Sequence, residues 1–184
     1  MDKTTNAFAK LNSFNTERLA LKLMTDNEWQ IFVDHVIEAG EFYEMFACEM
    51  TEELLASVRG LFETRKTISY SIYLPNTNDM IGYVEFCVDE GNRDYNHIAY
   101  CIFKDYRGHG FATEAAASLV DKLLSGEVLG RPVNEIRAWT VWGNSASSRV
   151  LEKIGFHSTG YRIYDSGLID QNFIYSPEGM EETA

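Results

Sequence analysis

The stretch from Tyr100 to Ala115, YCIFKDYRGHGFATEA, restricts the fold of this chain more than any other part of it. A strand-like segment runs directly into a turn with two glycines, and an alanine-rich helical segment follows at once. Gly108 and Gly110 can adopt positive φ and let backbone N–H groups approach a ligand closely. The helix start adds unpaired N–H donors and the positive end of a dipole. The pattern therefore predicts a phosphate-binding junction or, alternatively, no more than a tight corner.

The charge balance limits what such a junction can serve. The chain of 184 residues has 16 Lys+Arg against 28 Asp+Glu, a formal net charge of −12, which excludes a broad nucleic-acid-binding face and permits cationic partners. Arg107 supplies a local cation beside the two glycines, so an acidic chain can still hold an anion there. The P-loop pattern is absent, and Thr113 stands where the dinucleotide pattern needs a third Gly or Ala.

The rest of the composition is typical of a single domain. Hydrophobic residues make up 45% of the chain, enough for one core, and we expect one domain over residues 1–184 with a core at about 16–176 and an acidic tail at 177–184. Cys48, Cys87 and Cys101 form neither a metal-like spacing nor an even disulfide set, which favours reduced thiols and a cytoplasmic location. No signal segment or membrane-spanning run is recognised, and the chain is a monomer or a homodimer.

Periodicity predicts an alternation of strands and helices. Thr25-x-x-Glu28 has the spacing of a capping box before a helix, and Thr51 precedes a second helical stripe. The remaining predicted helices cover 112–124 and 146–154, and the predicted strands cover 16–24, 67–74, 80–88, 95–103, 135–141, 156–164 and 168–175.

Three segments, in order along the chain, resemble one known family. Arg107-x-x-Gly110-x-Ala112 resembles the [QR]-x-x-G-x-[GA] signature of the GNAT acyltransferases, at the same strand-to-helix junction. Residues 144–156 resemble the second family segment, which has an Asn-to-Ser turn, a short helix and a closing Gly-Phe pair. TERL at 16–19 is similar to the first strand of the branch that acetylates the alanine or serine N-termini of ribosomal proteins.

The resemblance implies an α/β (α+β) GNAT fold. Its sheet is mixed and mostly antiparallel, with six to seven strands and about four flanking helices, and a splayed parallel strand pair holds the cofactor. It also implies acetyl-CoA as the donor and no metal. The positions that would bind the cofactor are Cys101, Ile102, Phe103, Arg107, Gly108, His109, Gly110, Ala112, Thr113, Asn144 and Ser147. For Asn144, a helix cap without a ligand role remains the alternative.

Transfer of an acetyl group to an amine needs a general base with a pKa near neutrality. His97 begins the strand that would carry the thioester, and its side chain has a suitable ordinary pKa of about 6.5. In the related branch this position is often Glu, so the family's base does not carry over directly. Glu85 is the second candidate, because it interrupts an apolar run where a carboxylate must be used, paired or turned to solvent. Both residues also have purely structural readings.

For the acid that protonates the leaving thiolate, the family habit points to a tyrosine, here Tyr161, and Ser147 competes with it. An acyl-cysteine on Cys101 is disfavoured, because no histidine lies in sequence to activate the thiol, so we expect direct transfer in a ternary complex. Aromatic and acidic residues of the first helices and their loop lie where an acceptor site would be covered, with core packing as the default for the aromatics: Trp29, Phe32, Glu41, Phe42, Tyr43, Glu44 and Phe46.

The sequence thus favours an N-acetyltransferase that acts on a primary amine, either a protein N-terminus or a small cationic amine. The alternative is a non-catalytic coenzyme A-binding sensor with the same fold. Partners in the form of nucleic acid or membrane are not expected.

Overall fold

A central β-sheet organises the fold, and the side chains along its strands point in turn to one face of the sheet and to the other. The computed structural model describes residues 9–38, 51–63, 67–88 and 96–176. Its eight strands lie in the order β1-β2-β3-β4-β5-β6-β8-β7, and all neighbours are antiparallel except β5 and β6. The strands are β1 Ser13–Asn15, β2 Ala20–Leu23, β3 Thr67–Leu74, β4 Asp79–Cys87, β5 His97–Ile102, β6 Ile136–Val141, β7 His157–Ile163 and β8 Ile169–Tyr175.

Helices cover both faces of the sheet. They are α1 Asp26–Glu38, α2 Glu52–Glu63, α3 Phe111–Leu124 and α4 Ser145–Lys153, and a short 3-10 turn spans Lys104–Tyr106. The larger apolar core lies beneath α3, where Leu119 and Leu123 pack among side chains such as Val84, Phe86 and Ile98. A second cluster lies beneath α1 on the opposite face and consists of Met24, Trp29, Phe32, Val33, Val36, Tyr83, Cys101 and Phe103. Residues of β5, and those of β4 from Tyr83 onward, therefore face α3 or α1 in alternation, and a register shift between β3 and β4 interrupts this alternation beside Gly82.

The α+β fold with a parallel strand pair is confirmed, with one more strand than the six to seven expected. Of the predicted strand over 16–24, residues 20–23 form β2, while residues 16–19 form a turn that joins β2 to the earlier strand β1. The Thr16 N–H donates to the Leu19 carbonyl at 2.9 Å, and the Leu19 N–H donates to Thr16 Oγ1 at 3.0 Å. The side-chain hydroxyl thus closes the turn where alternation alone predicts an unbroken strand.

The predicted capping box at the start of α1 is confirmed. The Thr25 N–H donates to Glu28 Oε2 at 2.6 Å, and the Glu28 N–H donates to Thr25 Oγ1 at 3.3 Å. Trp29 and Phe32 are 7% and 6% exposed and lie in the core, in agreement with core packing as the default expectation for these aromatic residues. Residues 41–46, which carry the other aromatic and acidic candidates, lie outside the described residues.

The parallel neighbours β5 and β6 diverge almost from their first residues. Their ladder contains one register pair, His97 with Arg137, and the Arg137 N–H donates to the Asn96 carbonyl at 2.8 Å. On its other edge β5 pairs with β4 along its whole length, and β6 pairs likewise with β8. A wedge-shaped gap therefore opens within the sheet beyond His97, and we call it the splay.

No helix among the described residues has the length and apolar character needed to cross a membrane.

Candidate active site

The turn predicted to bind phosphate lies at the carboxyl end of β5, at the open end of the splay. Gly108 and Gly110 have φ of 83° and 81°, in the left-handed region that favours glycine. Gly110 is the N-cap of α3 and offers no side chain to satisfy the first N–H groups of that helix. Ala112 and Thr113 stand in that first turn. The turn and the helix start together present backbone donors and a positive dipole end to an anion.

The carbonyl groups around the turn are tied back into the protein. Arg107 Nε donates to the Ile102 carbonyl at 2.8 Å, and Arg18 Nη1 donates to the His109 carbonyl at 2.9 Å. The Glu114 N–H donates to the Gly110 carbonyl at 3.1 Å, and the Arg107 N–H donates to the Lys104 carbonyl at 3.2 Å. The backbone N–H groups of Gly108 through Thr113 are therefore the candidate donors to an anion, with the Arg107 side chain beside them.

The backbone of β5 has one edge toward β4 and one toward the splay. The Phe103 N–H donates to the Ile81 carbonyl at 2.9 Å, so Phe103 faces β4. Because hydrogen-bonding direction alternates in an antiparallel ladder, the backbone groups of Cys101 also face β4, and those of Tyr100 and Ile102 face the splay. The backbone groups open to an extended ligand are therefore those of Tyr100 and Ile102. Of the three expected residues, Ile102 faces the splay, while Cys101 and Phe103 face β4.

Tyr100 spans the splay from β5 to α4. Its hydroxyl donates to the Ser147 carbonyl at 3.0 Å, and burial raises the pKa of this phenol. At the start of α4 the Ser147 N–H donates to Asn144 Oδ1 at 3.1 Å. Asn144 therefore caps this helix, which was the alternative to a role in ligand binding. The cap uses the amide oxygen and leaves the amide nitrogen to meet a ligand. Asn144, Ser147 and Tyr100 thus meet at one side of the splay.

Glu85 lies on the opposite face of the sheet, the face that α1 covers. It stands between Ser69 of β3 and Ala99 of β5 in the sheet register, and its neighbour Tyr83 belongs to the cluster under α1. Burial raises the pKa of Glu85 to about 7, although Ser69 Oγ, which donates to Glu85 Oε2 at 2.9 Å, counteracts part of that effect. A half-buried carboxylate that titrates near neutrality is a suitable proton acceptor.

His97 lies on the same face as Glu85, where the splay begins. It pairs with Cys87, so His97 and Glu85 are diagonal neighbours on adjacent strands, at a separation of about 7 Å. Its ring centroid lies 4.1 Å from that of Trp139, whose side chain is 46% exposed. The two base candidates are therefore brought together with an exposed aromatic wall.

The cysteines near this face are in unreactive surroundings. Cys101 is 5% exposed and packs in the cluster under α1. Burial and the neighbouring Glu85 charge raise the pKa of the Cys87 thiol. Neither environment favours a thiolate nucleophile.

Tyr161 is not brought to the splay. It lies on the edge strand β7, with β8 between it and β6, and its ring contacts Trp142 at a centroid distance of 4.8 Å. The structure offers Tyr100 instead as the phenol at the splay. Tyr100 and Arg18 are the residues that sequence reasoning did not assign, although both lie in segments it quoted. Their partners are 47 and 91 residues away along the chain, and only the fold joins them.

Comparison with known proteins agrees with this geometry. A family model described as an acetyltransferase (GNAT) domain matches residues 11–157. A curated relative, the uncharacterized N-acetyltransferase YoaA from Bacillus subtilis, is 27% identical over 169 residues, which span 88% of this chain and 93% of that protein.

Two solved structures share the fold. The ribosomal-protein-S5-alanine acetyltransferase from Vibrio fischeri matches with a TM-score of 0.70 at 15% identity, over 92% of this chain and 98% of that one. RimL, the ribosomal L7/L12 alpha-N-protein acetyltransferase in complex with coenzyme A, matches with a TM-score of 0.66 at 15% identity, over 88% and 95%. At these identities the likeness establishes the common architecture.

Proposed function

Since the chain belongs to the GNAT acetyltransferase family and is an acetyl-CoA-dependent acetyltransferase, we propose that it acetylates a primary amine, and that the α-amine of a protein or peptide N-terminus is its acceptor. The transfer is direct, within a ternary complex. The observation that carries the acceptor is the position of Glu85, a carboxylate with a pKa of about 7 on the sheet face opposite α3.

The residues at the splay fit the donor. The backbone N–H groups from Gly108 to the start of α3, with the Arg107 side chain nearby, form a cradle of the right charge for a pyrophosphate. The Tyr100 and Ile102 backbone groups at the splay can pair with the pantetheine arm as a neighbouring strand would. The Asn144 amide nitrogen and the Ser147 side chain line the other side. Bound acetyl-CoA supplies the activated acetyl thioester.

Glu85 is the base in this proposal. An α-amine has an ordinary pKa of about 7.7 to 8.0, against about 10.4 for a lysine-type amine. A carboxylate with a pKa of about 7 can therefore take the proton of an α-ammonium at little cost, directly or through a water. His97, about 7 Å away, orients the acceptor together with the exposed Trp139.

The leaving thiolate needs a proton, and the Tyr100 hydroxyl supplies it. This phenol is held at the splay by the Ser147 carbonyl, and burial keeps it protonated by raising its pKa. The Ser147 side chain, in the first turn of α4, is the alternative donor. In sum, Glu85 takes one proton from the α-ammonium, the N–C bond of the amide forms and the thioester C–S bond breaks. The Tyr100 proton goes to sulfur, and the second amine proton returns through water to the Tyr100 oxygen.

A donor-binding test and an acceptor panel decide the proposal together. Saturating acetyl-CoA should raise the Tm, because ligand at a hundred times its Kd stabilises the folded state by about 2.7 kcal/mol, and ATP should not. Thiol release should then occur with peptides that have a free N-terminus and fall to background with the same peptides N-acetylated but carrying an internal lysine. Turnover with polyamines but with no peptide would show that the acceptor is a small amine and not a protein or peptide N-terminus. No turnover with any amine would contradict the proposal.

A further inference from the structure

The turn between β1 and β2 reaches across the molecule to the phosphate-binding turn. Arg18, in that turn, donates through Nη1 to the His109 carbonyl at 2.9 Å. Its guanidinium lies 4.9 Å from the Phe111 ring centroid, and its Nη2 lies 3.5 Å from where a Cβ on Gly110 would be. One side chain therefore touches three consecutive residues at the start of α3.

Glu114 fixes Arg18 in this position. Arg18 Nε donates to Glu114 Oε2 at 2.7 Å, and Nη2 lies 2.6 Å from the same oxygen. The Arg18 N–H and the Thr16 hydroxyl both donate to Glu114 Oε1. The carboxylate thus holds both the backbone and the side chain of the β1–β2 turn, and a planar guanidinium held by several bonds of this kind is well oriented.

The His109 carbonyl sets the direction of the Gly110 N–H. The two groups belong to one planar trans peptide unit and point in opposite directions. A turn with glycines at φ of 83° and 81° can rotate its peptide planes at low cost, and a rotated unit would turn a carbonyl oxygen toward the anion. A donor that holds the His109 carbonyl outward keeps the Gly110 N–H turned inward.

We propose that Arg18 is a positioning residue for the donor site, acting through the His109 carbonyl to keep the Gly110 N–H directed at the pyrophosphate. Glu114 and Thr16 are the anchor that holds Arg18 in place. The proposal rests on the proposed function, because it takes the turn as the site of the acetyl-CoA pyrophosphate.

The test compares two donors, acetyl-CoA and S-acetylpantetheine, which lacks the pyrophosphate. For Arg18→Ala, the KM for acetyl-CoA should rise about tenfold, or about 1.4 kcal/mol, because the hydrogen bond from the charged guanidinium to the His109 carbonyl is lost. The kcat with acetyl-CoA and the kcat/KM with S-acetylpantetheine should stay within about twofold of the unsubstituted protein.

Arg18→Lys keeps a cation beside Glu114 but cannot bond both that carboxylate and the His109 carbonyl, so it should show the same selective rise in KM. It also serves if Arg18→Ala does not fold. The matched control is Arg162→Ala. Arg162 is an exposed residue of β7 whose guanidinium carbon lies 4.8 Å from the Tyr164 ring centroid, and its removal should leave the kinetic constants for both donors unchanged.

An equal loss with both donors would show a general structural role and overturn the inference, as would an unchanged KM for acetyl-CoA in both Arg18 variants. Failure of the unsubstituted protein to bind acetyl-CoA would instead overturn the proposed function. The two failures are therefore distinguishable.

Discussion

At the scale of single residues, the environment of Glu85 determines what its carboxylate can do. Alternation along β4 places it on the face of Tyr83, and the sequence leaves open whether that face meets solvent or helices. In the structure α1 covers that face at Tyr83, and the Ser69 hydroxyl is the polar partner of Glu85. The sequence therefore identifies Glu85 as a candidate base, and only the fold supplies the burial that raises its pKa.

Ser69→Ala should move the pH profile of turnover to higher pH. The serine hydroxyl lowers the pKa of Glu85, so its removal raises that pKa above about 7 and the base is ionised later as pH rises. The measurement is the acidic limb of kcat/KM against pH.

Ser71→Ala is the matched control, two residues further along β3. Its hydroxyl is buried and has no hydrogen-bond partner within the described ranges. This variant should leave the acidic limb in place. A limb that stays in place in Ser69→Ala but disappears in His97→Ala would assign the base to His97 instead.

Glu85→Gln should change activity and stability in opposite directions. The amide cannot accept the amine proton, so kcat/KM at pH 8 should fall by about a hundredfold or more. Because the pKa of Glu85 is raised on folding, the glutamate's contribution is fully favourable below about pH 4.5 and is lost as pH rises through about 7. The variant should therefore be more stable than the parent at pH 8, by at most about 3 kcal/mol, and equally stable near pH 4.

Chemical denaturation at the two pH values measures this difference. Glu127→Gln, a change at an exposed carboxylate that bonds Lys122 after α3, is the control and should abolish neither activity nor the parent's pH dependence. Equal stability of Glu85→Gln and the parent at pH 8 would contradict the buried, raised-pKa environment.

At the scale of elements, the approach of β4 to β5 fixes the edge of the splay. A Cβ on Gly82 would lie 2.1 Å from the Cys101 carbonyl oxygen, a backbone atom that cannot move without displacing β5. Gly82 also has φ of 154°, which side chains rarely adopt. The glycine in this strand therefore permits a close passage of two backbones.

Gly82→Ala should destabilise the protein by about 3 kcal/mol or more, because overpacking against backbone has no low-cost relief. Acetyl-CoA binding should weaken as well, since β5 forms one edge of the splay. Thermal unfolding with and without acetyl-CoA measures both effects. Gly60→Ala in α2 is the control: a Cβ there meets nothing within 4 Å, and alanine in a helix interior is favourable by roughly 0.5 to 1 kcal/mol. Equal Tm values for the two variants would refute this account.

Most elements were predictable because their signals are local. The capping box at Thr25 and the hydrophobic alternation of β3 are read from adjacent residues, and β3 has the bounds predicted for it. The turn at 16–19 was not predicted, because it is held by a residue far along the chain: Glu114 accepts hydrogen bonds from the Thr16 hydroxyl and the Arg18 N–H. Tyr100 was missed for the same reason, since its partner carbonyl lies in α4. Contacts of this kind leave no periodic pattern in the sequence.

At the scale of the whole molecule, the net charge of −12 acts on the two substrates with opposite signs. It repels the anionic donor at long range, and in the proposed function the backbone donors at the start of α3 overcome that repulsion at contact. It attracts an ammonium group approaching the other face.

Raising the salt concentration should therefore lower the KM for acetyl-CoA and raise the KM for a cationic peptide acceptor. We expect each constant to change by a few-fold between about 20 and 300 mM NaCl, because the Debye length shortens from about 20 Å to below 10 Å over this range. Initial rates over both substrate concentrations measure the two constants. A peptide acceptor with no net charge is the control. The same direction of change for donor and cationic acceptor would contradict the prediction.

The single register pair between β5 and β6 also has a mechanical consequence. Within the described ranges, the five strands before it and the three after it form two plates that share one corner of backbone hydrogen bonding. Elsewhere the plates are joined by side chains, among them the Tyr100 hydroxyl bridge to α4. A donor arm laid between the plates, as the proposed function has it, would add the missing rungs and complete the sheet that holds it. Slower amide hydrogen exchange at Tyr100 and Ile102 on donor binding would record that completion residue by residue.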